Sequence, residues 1–354
     1  MTEDLLLFDS LDACLGPHES RFFGAGYKRV GQYLRHIVAD GSTAPGAQVN
    51  AWASLTYPRD WSRKSSAREL RPHVSSIDVL VLAASLAEVH LNTGHGLTPE
   101  QQRRTWLRSV DIRASNRPHE DLTDFPVRAR LLESGSEGEG TGLLRSTYDC
   151  RVGGLKARCA FVHEPGARTA AGGGDPVCHV FDSVADALGP AQVRVYGEGY
   201  KTHRQTARHV AVDLAGQRVR ARQQLALHPA DQDERAGRGG LGARLGAEAA
   251  YAPSVSMVDA LVSIAQLAQA LLYAQDDLAR GRSDTLWMRR MVIEADTPTR
   301  PADEPFDAAA YTTKNRLISL DGELWRATDL KVDDFCGIHG WCSIAHRLPA
   351  RRAA

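Results

Sequence analysis

The chain contains two copies of one segment. Residues 8–40 align with residues 181–213 without a gap, and 15 of the 33 paired positions are identical. Residues 72–91 align with residues 253–272, with 10 identities in 20. A repeat of this length predicts one structural unit built twice along the chain. This duplication limits the fold more than any other feature of the sequence.

The repeat predicts two domains and the boundary between them. We expect a first unit over residues 1–165 and a second over residues 178–354. Residues 166–177 are rich in Gly and Ala and form the predicted linker. The second copy gains eight residues between Asp213 and Pro253, where the sequence is rich in Gly and Arg. We expect an inserted loop there.

The sequence of each unit predicts several strands around one apolar helix. In the first copy, Ser75 and Asp78 form a capping-box start, and the next 13 residues are apolar on nearly all faces. Strand-like segments follow, and in the second copy Asp321-Gly322 predicts a tight hairpin. One sheet wrapped around a buried helix is the hot-dog arrangement. We therefore predict an α+β tandem double hot dog, with two independent α+β domains as the competing architecture.

Composition narrows the function classes. Lys plus Arg and Asp plus Glu number 43 each and aromatic residues make up 6%, a balance that favours neither nucleic acid nor an anionic membrane as partner. No uninterrupted apolar run reaches the ~18 residues expected of a membrane span. The N-terminus lacks a signal-peptide pattern, and the six cysteines show no disulfide framework. These features predict a cytoplasmic protein.

The start of the second long helix, APSVSMVDAL (252–261), resembles the helix signature of the hot-dog β-hydroxyacyl thioester dehydratases. That resemblance places Asp259, and its repeat partner Asp78, at the position of the catalytic carboxylate. The dehydratases carry a catalytic His about fourteen residues earlier, where this chain has Lys64 and Leu245. A dehydratase mechanism therefore does not transfer directly.

Three further stretches resemble the avirulence D (AvrD) family: LGPHESRFFGAGYKRV (15–30), SLTYPRDWS (54–62) and PHVSSIDVLV (72–81). This resemblance covers most of the chain. It implies an enzyme that joins a β-ketoacyl thioester, carried by coenzyme A or an acyl carrier protein, to a ketopentose-type sugar. The implied product is an acyl-sugar lactone of the syringolide type. A hot-dog fold suits such a substrate because its helix and sheet enclose a tunnel for an acyl chain.

The strongest catalytic candidates are Asp259, Asp78 and His73. Either aspartate is explained by helix capping alone, or it acts as a base beside the unpaired N–H groups of a helix start. Apolar surroundings would raise the pKa of such a carboxyl. Because His73 stands where the second copy has Ser254, we favour a His73–Asp259 pair across the interface between units. A partly exposed His before a helix is the simpler interpretation.

A second group of residues is considered for substrate binding. Most of them occur in both copies, which favours a role in the common fold over a role in one site. Glu88 differs, because it is a carboxylate in an apolar helix and needs a partner, a proton or a function. The group comprises Glu88, His36, His209, Tyr27 and Tyr200.

No metal or cofactor is expected. Cys336, His339, Cys342 and His346 are ligand types, but strand alternation turns His339 away from the other three. The alternative functions are a hot-dog acyl-thioester dehydratase or thioesterase, and a non-catalytic acyl-lactone binding protein. The sequence leaves open whether two chains form a homodimer.

Overall fold

The computed structural model describes residues 4–63, 70–170, 177–226, 244–280, 286–302 and 304–348. Within these residues, 14 strands form one continuous antiparallel sheet. The strands are β1 Leu5–Ser10, β2 Gly31–Asp40, β3 Gln48–Thr56, β4 Trp106–Arg113, β5 Phe125–Ser136, β6 Leu144–Val152, β7 Leu155–His163, β8 Cys178–Ser183, β9 Arg204–Asp213, β10 Arg218–Ala226, β11 Trp287–Ala295, β12 Phe306–Leu320, β13 Glu323–Val332 and β14 Ile338–Arg347.

Two long helices pack on this sheet and contact each other. Both begin with the capping box that the sequence predicts, from Ser75 in the first and from Ser256 in the second. Nearly every residue of both helices is buried, because neither has a polar face to turn to water. The helices are α1 Leu11–Leu15, α2 Ser76–His90, α3 Pro99–Arg104, α4 Ala167–Ala170, α5 Val184–Leu188 and α6 Met257–Gln275.

The length and composition of the two long helices differ from the expectation that no segment could span a membrane. By length and composition, Ser76–His95 and Met257–Gln275 could each cross a membrane, although no uninterrupted apolar run was counted. An uninterrupted apolar run excludes every polar residue, whereas a membrane-spanning helix needs only a high mean hydropathy and can contain an occasional polar residue. In the folded protein, 94% of the apolar stretch in Ser76–His95 and 83% of that in Met257–Gln275 are buried, as expected of helices in a protein core.

The order of strands in the sheet is nearly symmetric about its centre. β4 and β11 pair at the middle, and the orders β4-β7-β6-β5-β3-β2 and β11-β14-β13-β12-β10-β9 run outward from them. Arg290 on β11 bonds both carboxylate oxygens of Asp111 on β4, at 2.9 and 2.7 Å, across this central seam. The two halves therefore share one sheet.

The outermost strands are exchanged between the halves. β1 precedes the first half in the chain but pairs with β9, where Leu6 lies opposite Val212. β8 precedes the second half but pairs with β2, where Val180 lies opposite Val38. The first half of the sheet therefore ends with β8, which comes from the second part of the chain. The second half of the sheet ends with β1, which comes from the start of the chain.

Three buried histidines lie where α2 ends. The rings of His95 and His163 are 4.7 Å apart, and both lie within hydrogen-bond distance of Ser146. His90 contacts the hydroxyl of Tyr148 at 3.0 Å. Burial lowers the pKa of His95 to about 3, helped by the neighbouring His163, and burial lowers the pKa of His163 to about 4.

We expect this cluster to make stability depend on pH. In the unfolded chain each imidazole binds a proton near pH 6.5, whereas in the fold it stays neutral until the pH approaches its lowered pKa. Protons therefore favour unfolding, and the free energy of unfolding falls as pH drops from 6.5 toward 4. His163 alone should account for up to about 3 kcal/mol. Urea denaturation across this range measures the slope, and His163→Gln should flatten it. An unchanged slope in the variant would contradict this assignment.

Candidate active site

A cavity of about 540 Å³ lies between the start of α2 and the C-terminal half of α6. We call it the α2 cavity. Phe22, Phe23 and Trp61 form an aromatic wall on one side, and Gln269 and Tyr273 reach it from α6. Its volume is in the range of sites that enclose a small-molecule ligand.

The charges around the α2 cavity are mostly positive. The glutamates that line it are Glu120 and Glu323. The arginines that line it are Arg21, Arg71, Arg117, Arg280 and Arg347. The whole chain has a formal net charge of zero, so this excess of cations is a local property. It favours a ligand that carries negative charge.

The first turn of α2 provides hydrogen-bond donors at the cavity. Val74, Ser75 and Ser76 line it. The capping box uses the backbone N–H groups of Ser75 and Asp78, which bond the Asp78 carboxylate and the Ser75 hydroxyl. Among the described residues, the N–H groups of Ser76 and Ile77 have no acceptor, as expected at a helix start. Such groups can stabilise negative charge that develops on a carbonyl oxygen.

His73 lies at the rim of this helix start and lines the cavity. Its Nδ1 is 3.2 Å from the carbonyl oxygen of Arg71, and its ring packs edge-on against Trp61. Because a carbonyl only accepts, Nδ1 carries the proton in the neutral ring, and Nε2 keeps a lone pair. Nε2 of the neutral His73 ring can therefore accept a hydrogen bond or a proton.

Asp78 is buried behind this surface. Its carboxylate accepts hydrogen bonds from the backbone N–H and the hydroxyl of Ser75, at 2.8 and 2.7 Å, and from the Gln32 amide at 3.0 Å. The Tyr57 hydroxyl also donates to it and lies 3.1 Å from the His73 carbonyl oxygen. Burial raises the pKa of Tyr57 well above its usual value, and the nearby Asp78 charge adds to this, so the phenol stays protonated. Asp78 thus holds the helix start and the Tyr57 hydroxyl, which has a single proton to donate and lies beside the His73 backbone.

Asp259 occupies the same place at the start of α6, and its imidazole partner is His203. His203 Nδ1 lies 2.9 Å from one carboxylate oxygen, and Gln205 donates to the other at 2.8 Å. His73 instead contacts Arg71 and Trp61. Burial by itself would raise the pKa of Asp259, but His203 and Ser256 outweigh it and hold that pKa below its usual value. The expectation of a raised pKa is wrong for Asp259, because hydrogen bonds replace the lost water.

His203 was not predicted from the sequence as a site residue. Its partner in the aligned repeat is Val30, so the two copies differ here as they do at His73 and Ser254. That difference was available as a signal. His119 was also missed, and it lines the α2 cavity with a buried Nε2 that has no hydrogen-bond partner among the described residues.

The start of α6 is closed by residues 245–248, which we call the sealing segment. Glu248 forms a buried ion pair with Arg300 at 2.6 Å and accepts a hydrogen bond from the Tyr196 hydroxyl at 2.7 Å. It holds a left-handed backbone conformation, with φ of 67°. The backbone N–H of Leu107 on β4 also donates to its carboxylate. These bonds hold the sealing segment to residues from both halves of the chain.

Glu88, on the C-terminal half of α2, faces the sealing segment. One of its oxygens accepts from the backbone N–H of Ala247 at 3.2 Å, and the other has no partner among the described residues. Burial raises the pKa of Glu88, and the positive charge of Arg194 opposes the rise. Two nitrogens of the Arg194 guanidinium are likewise buried without a partner. Neither Glu88 nor Arg194 lines the α2 cavity.

The remaining candidates lie elsewhere. His36 and His209 are exposed and have a left-handed backbone, with φ of 51° for both. Tyr27 and Tyr200 are buried and stack with their ring centres 6.2 Å apart, and the Tyr200 hydroxyl contacts Gln32 at 3.2 Å. Tyr200 thus reaches the hydrogen-bond network of the Asp78 carboxylate through Gln32, and Tyr27 stacks on Tyr200. In the part of the chain that the structure describes, no group of three or more His, Cys, Asp or Glu side chains is placed to hold a metal ion.

Comparison with known proteins gives one match over nearly the whole chain. The family model described as Pseudomonas avirulence D protein (AvrD) matches residues 6–349. No curated protein sequence shows significant similarity to the chain.

Solved structures with similar folds are distant in sequence. A tesB protein of Mycobacterium avium subsp. paratuberculosis is 10% identical, with a TM-score of 0.34 over 85% of this chain and 93% of that one. The 12:0-ACP thioesterase of Umbellularia californica is 8% identical, with a TM-score of 0.35 over 86% and 94%. A protein with a hot-dog fold from Alicyclobacillus acidocaldarius is 9% identical, with a TM-score of 0.34 over 88% and 97%. Likenesses of this size do not bear on which reaction a chain catalyses.

Proposed function

Because the chain belongs to the avirulence D family, we propose that it joins a β-ketoacyl thioester to a ketopentose-type sugar and makes an acyl-sugar lactone of the syringolide type. The observation that carries this proposal is the α2 cavity. It combines an aromatic wall suited to an acyl chain, free N–H groups at a helix start and a histidine with an available lone pair. These are the parts that acyl transfer from a thioester requires.

We also propose that the fold is a tandem double hot dog. The units would be residues 1–165 and 178–354, joined by residues 166–177. The repeated order of elements supports this, as does the mirrored strand order about β4 and β11. In this interpretation the exchange of β1 and β8 ties the units together and fixes the interface between α2 and α6.

The first step would be acyl transfer. His73 Nε2 takes the proton of a sugar hydroxyl, and the hydroxyl oxygen attacks the thioester carbonyl. The N–H groups of Ser76 and Ile77 bind the resulting oxyanion. The carbon–sulfur bond then breaks, and the thiol leaves with the proton from His73. Asp78 acts as a positioning residue, because it anchors the helix start and the Tyr57 hydroxyl.

The second step would close the ring. The carbon between the two carbonyls of the β-ketoacyl ester is acidic, and the same base removes its proton. The carbanion attacks the ketone carbon of the bound sugar and forms the new carbon–carbon bond of a five-membered lactone. The ketone oxygen takes up the proton, and loss of water gives a butenolide. Neither step needs a redox cofactor.

The other candidate residues take supporting roles in this proposal. Asp259 and His203 anchor the start of α6, and Tyr27 and Tyr200 hold the two helix starts in register. The thioester is carried by coenzyme A or by an acyl carrier protein, and we place the reaction in the cytoplasm, where such thioesters are made. The cations around the α2 cavity suit either carrier, since both contain phosphate.

Mass spectrometry tests this proposal. Purified protein is incubated with a β-ketoacyl thioester and xylulose, either free or phosphorylated, and both the thiol and the sugar products are measured. We expect an acyl-sugar product and an equal amount of released thiol.

Other results would identify other functions. Thiol release without a sugar adduct would indicate a thioesterase, and an enoyl product from a β-hydroxyacyl thioester would indicate a dehydratase. Tight binding of an acyl lactone without any turnover would indicate a binding protein. Each of these outcomes would overturn the synthase proposal.

A further inference from the structure

The α2 cavity and the sealing segment lie at positions related by the repeat. Arg21, Gln269 and His119 line the cavity. Their partners in the repeat are Arg194, Glu88 and Arg300. The equivalence extends to backbone bonds, because the Val74 N–H donates to the His119 carbonyl as the Val255 N–H donates to that of Arg300.

All three repeat partners contact the sealing segment. Glu88 accepts a hydrogen bond from Ala247, and Arg300 pairs with Glu248. Arg194 forms a bridge with Leu245, and its side chain lies close to Gly246. A Cβ at Gly246 would lie 2.6 Å from the Glu88 carboxylate as that side chain is placed, and the φ of 71° also favours glycine, so the segment passes Glu88 closely as backbone. The second half therefore shows this type of site filled by a length of peptide backbone.

The contact between Glu88 and Ala247 shows what the helix position recognises. At this position on α2, the carboxylate of Glu88 accepts a hydrogen bond from the backbone N–H of Ala247, which belongs to the sealing segment, at 3.2 Å. On α6 the same position is Gln269, whose side chain also ends in an acceptor oxygen. No hydrogen bond joins the side chain of Gln269 to any other described residue, and this side chain borders the α2 cavity.

We propose that Gln269 positions the thioester by accepting an amide N–H from its pantetheine arm. This inference rests on the proposed function, which makes a thioester the ligand of the α2 cavity. The pantetheine arm is an extended chain with two amide groups, so it matches the peptide that fills the second half. An acyl chain has no N–H to offer. The arginines at the α2 cavity, Arg71 and Arg117 among them, then lie where the phosphate of the arm enters.

Binding of unreactive analogues tests this assignment separately from catalysis. Two thioethers with the same β-ketoacyl-like group are compared by calorimetry, one carrying pantetheine and one carrying a propyl group without amides. In Gln269→Leu the Kd of the pantetheine thioether should rise about three- to ten-fold, the loss of one hydrogen bond. The Kd of the propyl thioether should not change, because it offers no N–H.

Gln275→Leu provides the matched control. Gln275 is on the same helix but does not line the α2 cavity, so its replacement should leave both Kd values unchanged. Equal weakening of both thioethers in Gln269→Leu would overturn the proposal and give Gln269 a packing role. No weakening of either, or no preference of the wild type for pantetheine, would also overturn it. A wild type that shows this preference but makes no acyl sugar would overturn the proposed function alone.

Discussion

Replacement of His73 by glutamine should lower kcat/KM for formation of the acyl sugar by about 10²- to 10⁴-fold. Glutamine keeps a polar side chain of similar reach but has no nitrogen that can take a proton. Its amide N–H can still reach the Arg71 carbonyl, which His73 contacts at 3.2 Å.

The control for this variant is stability. His73 is only partly buried, and its side chain has one hydrogen bond among the described residues. We expect the free energy of unfolding to change by less than about 1 kcal/mol. Asp78→Asn should also reduce the rate, but with loss of stability, because it disturbs the capping box and the bond from Tyr57. Full activity in His73→Gln would place the base elsewhere.

Replacement of Arg300 by methionine should reduce the free energy of unfolding by about 3–5 kcal/mol. The side chains of Arg300 and Glu248 are 0% and 2% exposed, so the variant leaves a carboxylate buried without its counter-ion. Tyr196 and Leu107 would still donate to it, but neither neutralises its charge. Urea denaturation measures the change.

A second variant separates the ion pair from the packing. Arg300→Met combined with Glu248→Gln removes both charges, and we expect it to be more stable than Arg300→Met alone. Arg290→Met at the central seam is the comparison, because the Asp111–Arg290 pair is partly exposed and should contribute only about 1 kcal/mol or less. If Arg300→Met and Arg290→Met cost the same, the sealing segment is not held by its ion pair.

Local structure was predictable wherever a short pattern determines it. The capping boxes at Ser75 and Ser256 need only the spacing of two polar residues before an apolar run. The Asp321-Gly322 turn has φ of 53° and 77°, the positive values that this pair adopts readily. The repeat predicted two similar units along the chain, and the strand order on the two sides of β4 and β11 is consistent with that prediction.

The arrangement between the halves was not predictable in the same way. The exchange of β1 and β8 pairs strands that are far apart in the chain, as Leu6 with Val212 and Val180 with Val38, and alternation along a strand does not specify its partner. The His203–Asp259 contact lies within the second half and joins residues 56 positions apart, which no short pattern pairs, and His73 was therefore chosen in its place. Nor does a short pattern predict the positive φ at Glu248, a residue other than glycine that takes a left-handed backbone conformation in the sealing segment.

A crystal structure with an unreactive β-ketoacyl pantetheine thioether tests the central claim most directly. We predict that the acyl group lies in the α2 cavity, with the carbonyl oxygen about 3 Å from the N–H groups of Ser76 and Ile77. His73 Nε2 should face the carbon that the sugar attacks, and the sealing segment at α6 should remain closed. Density for the analogue at the start of α6, with the α2 cavity empty, would contradict this account.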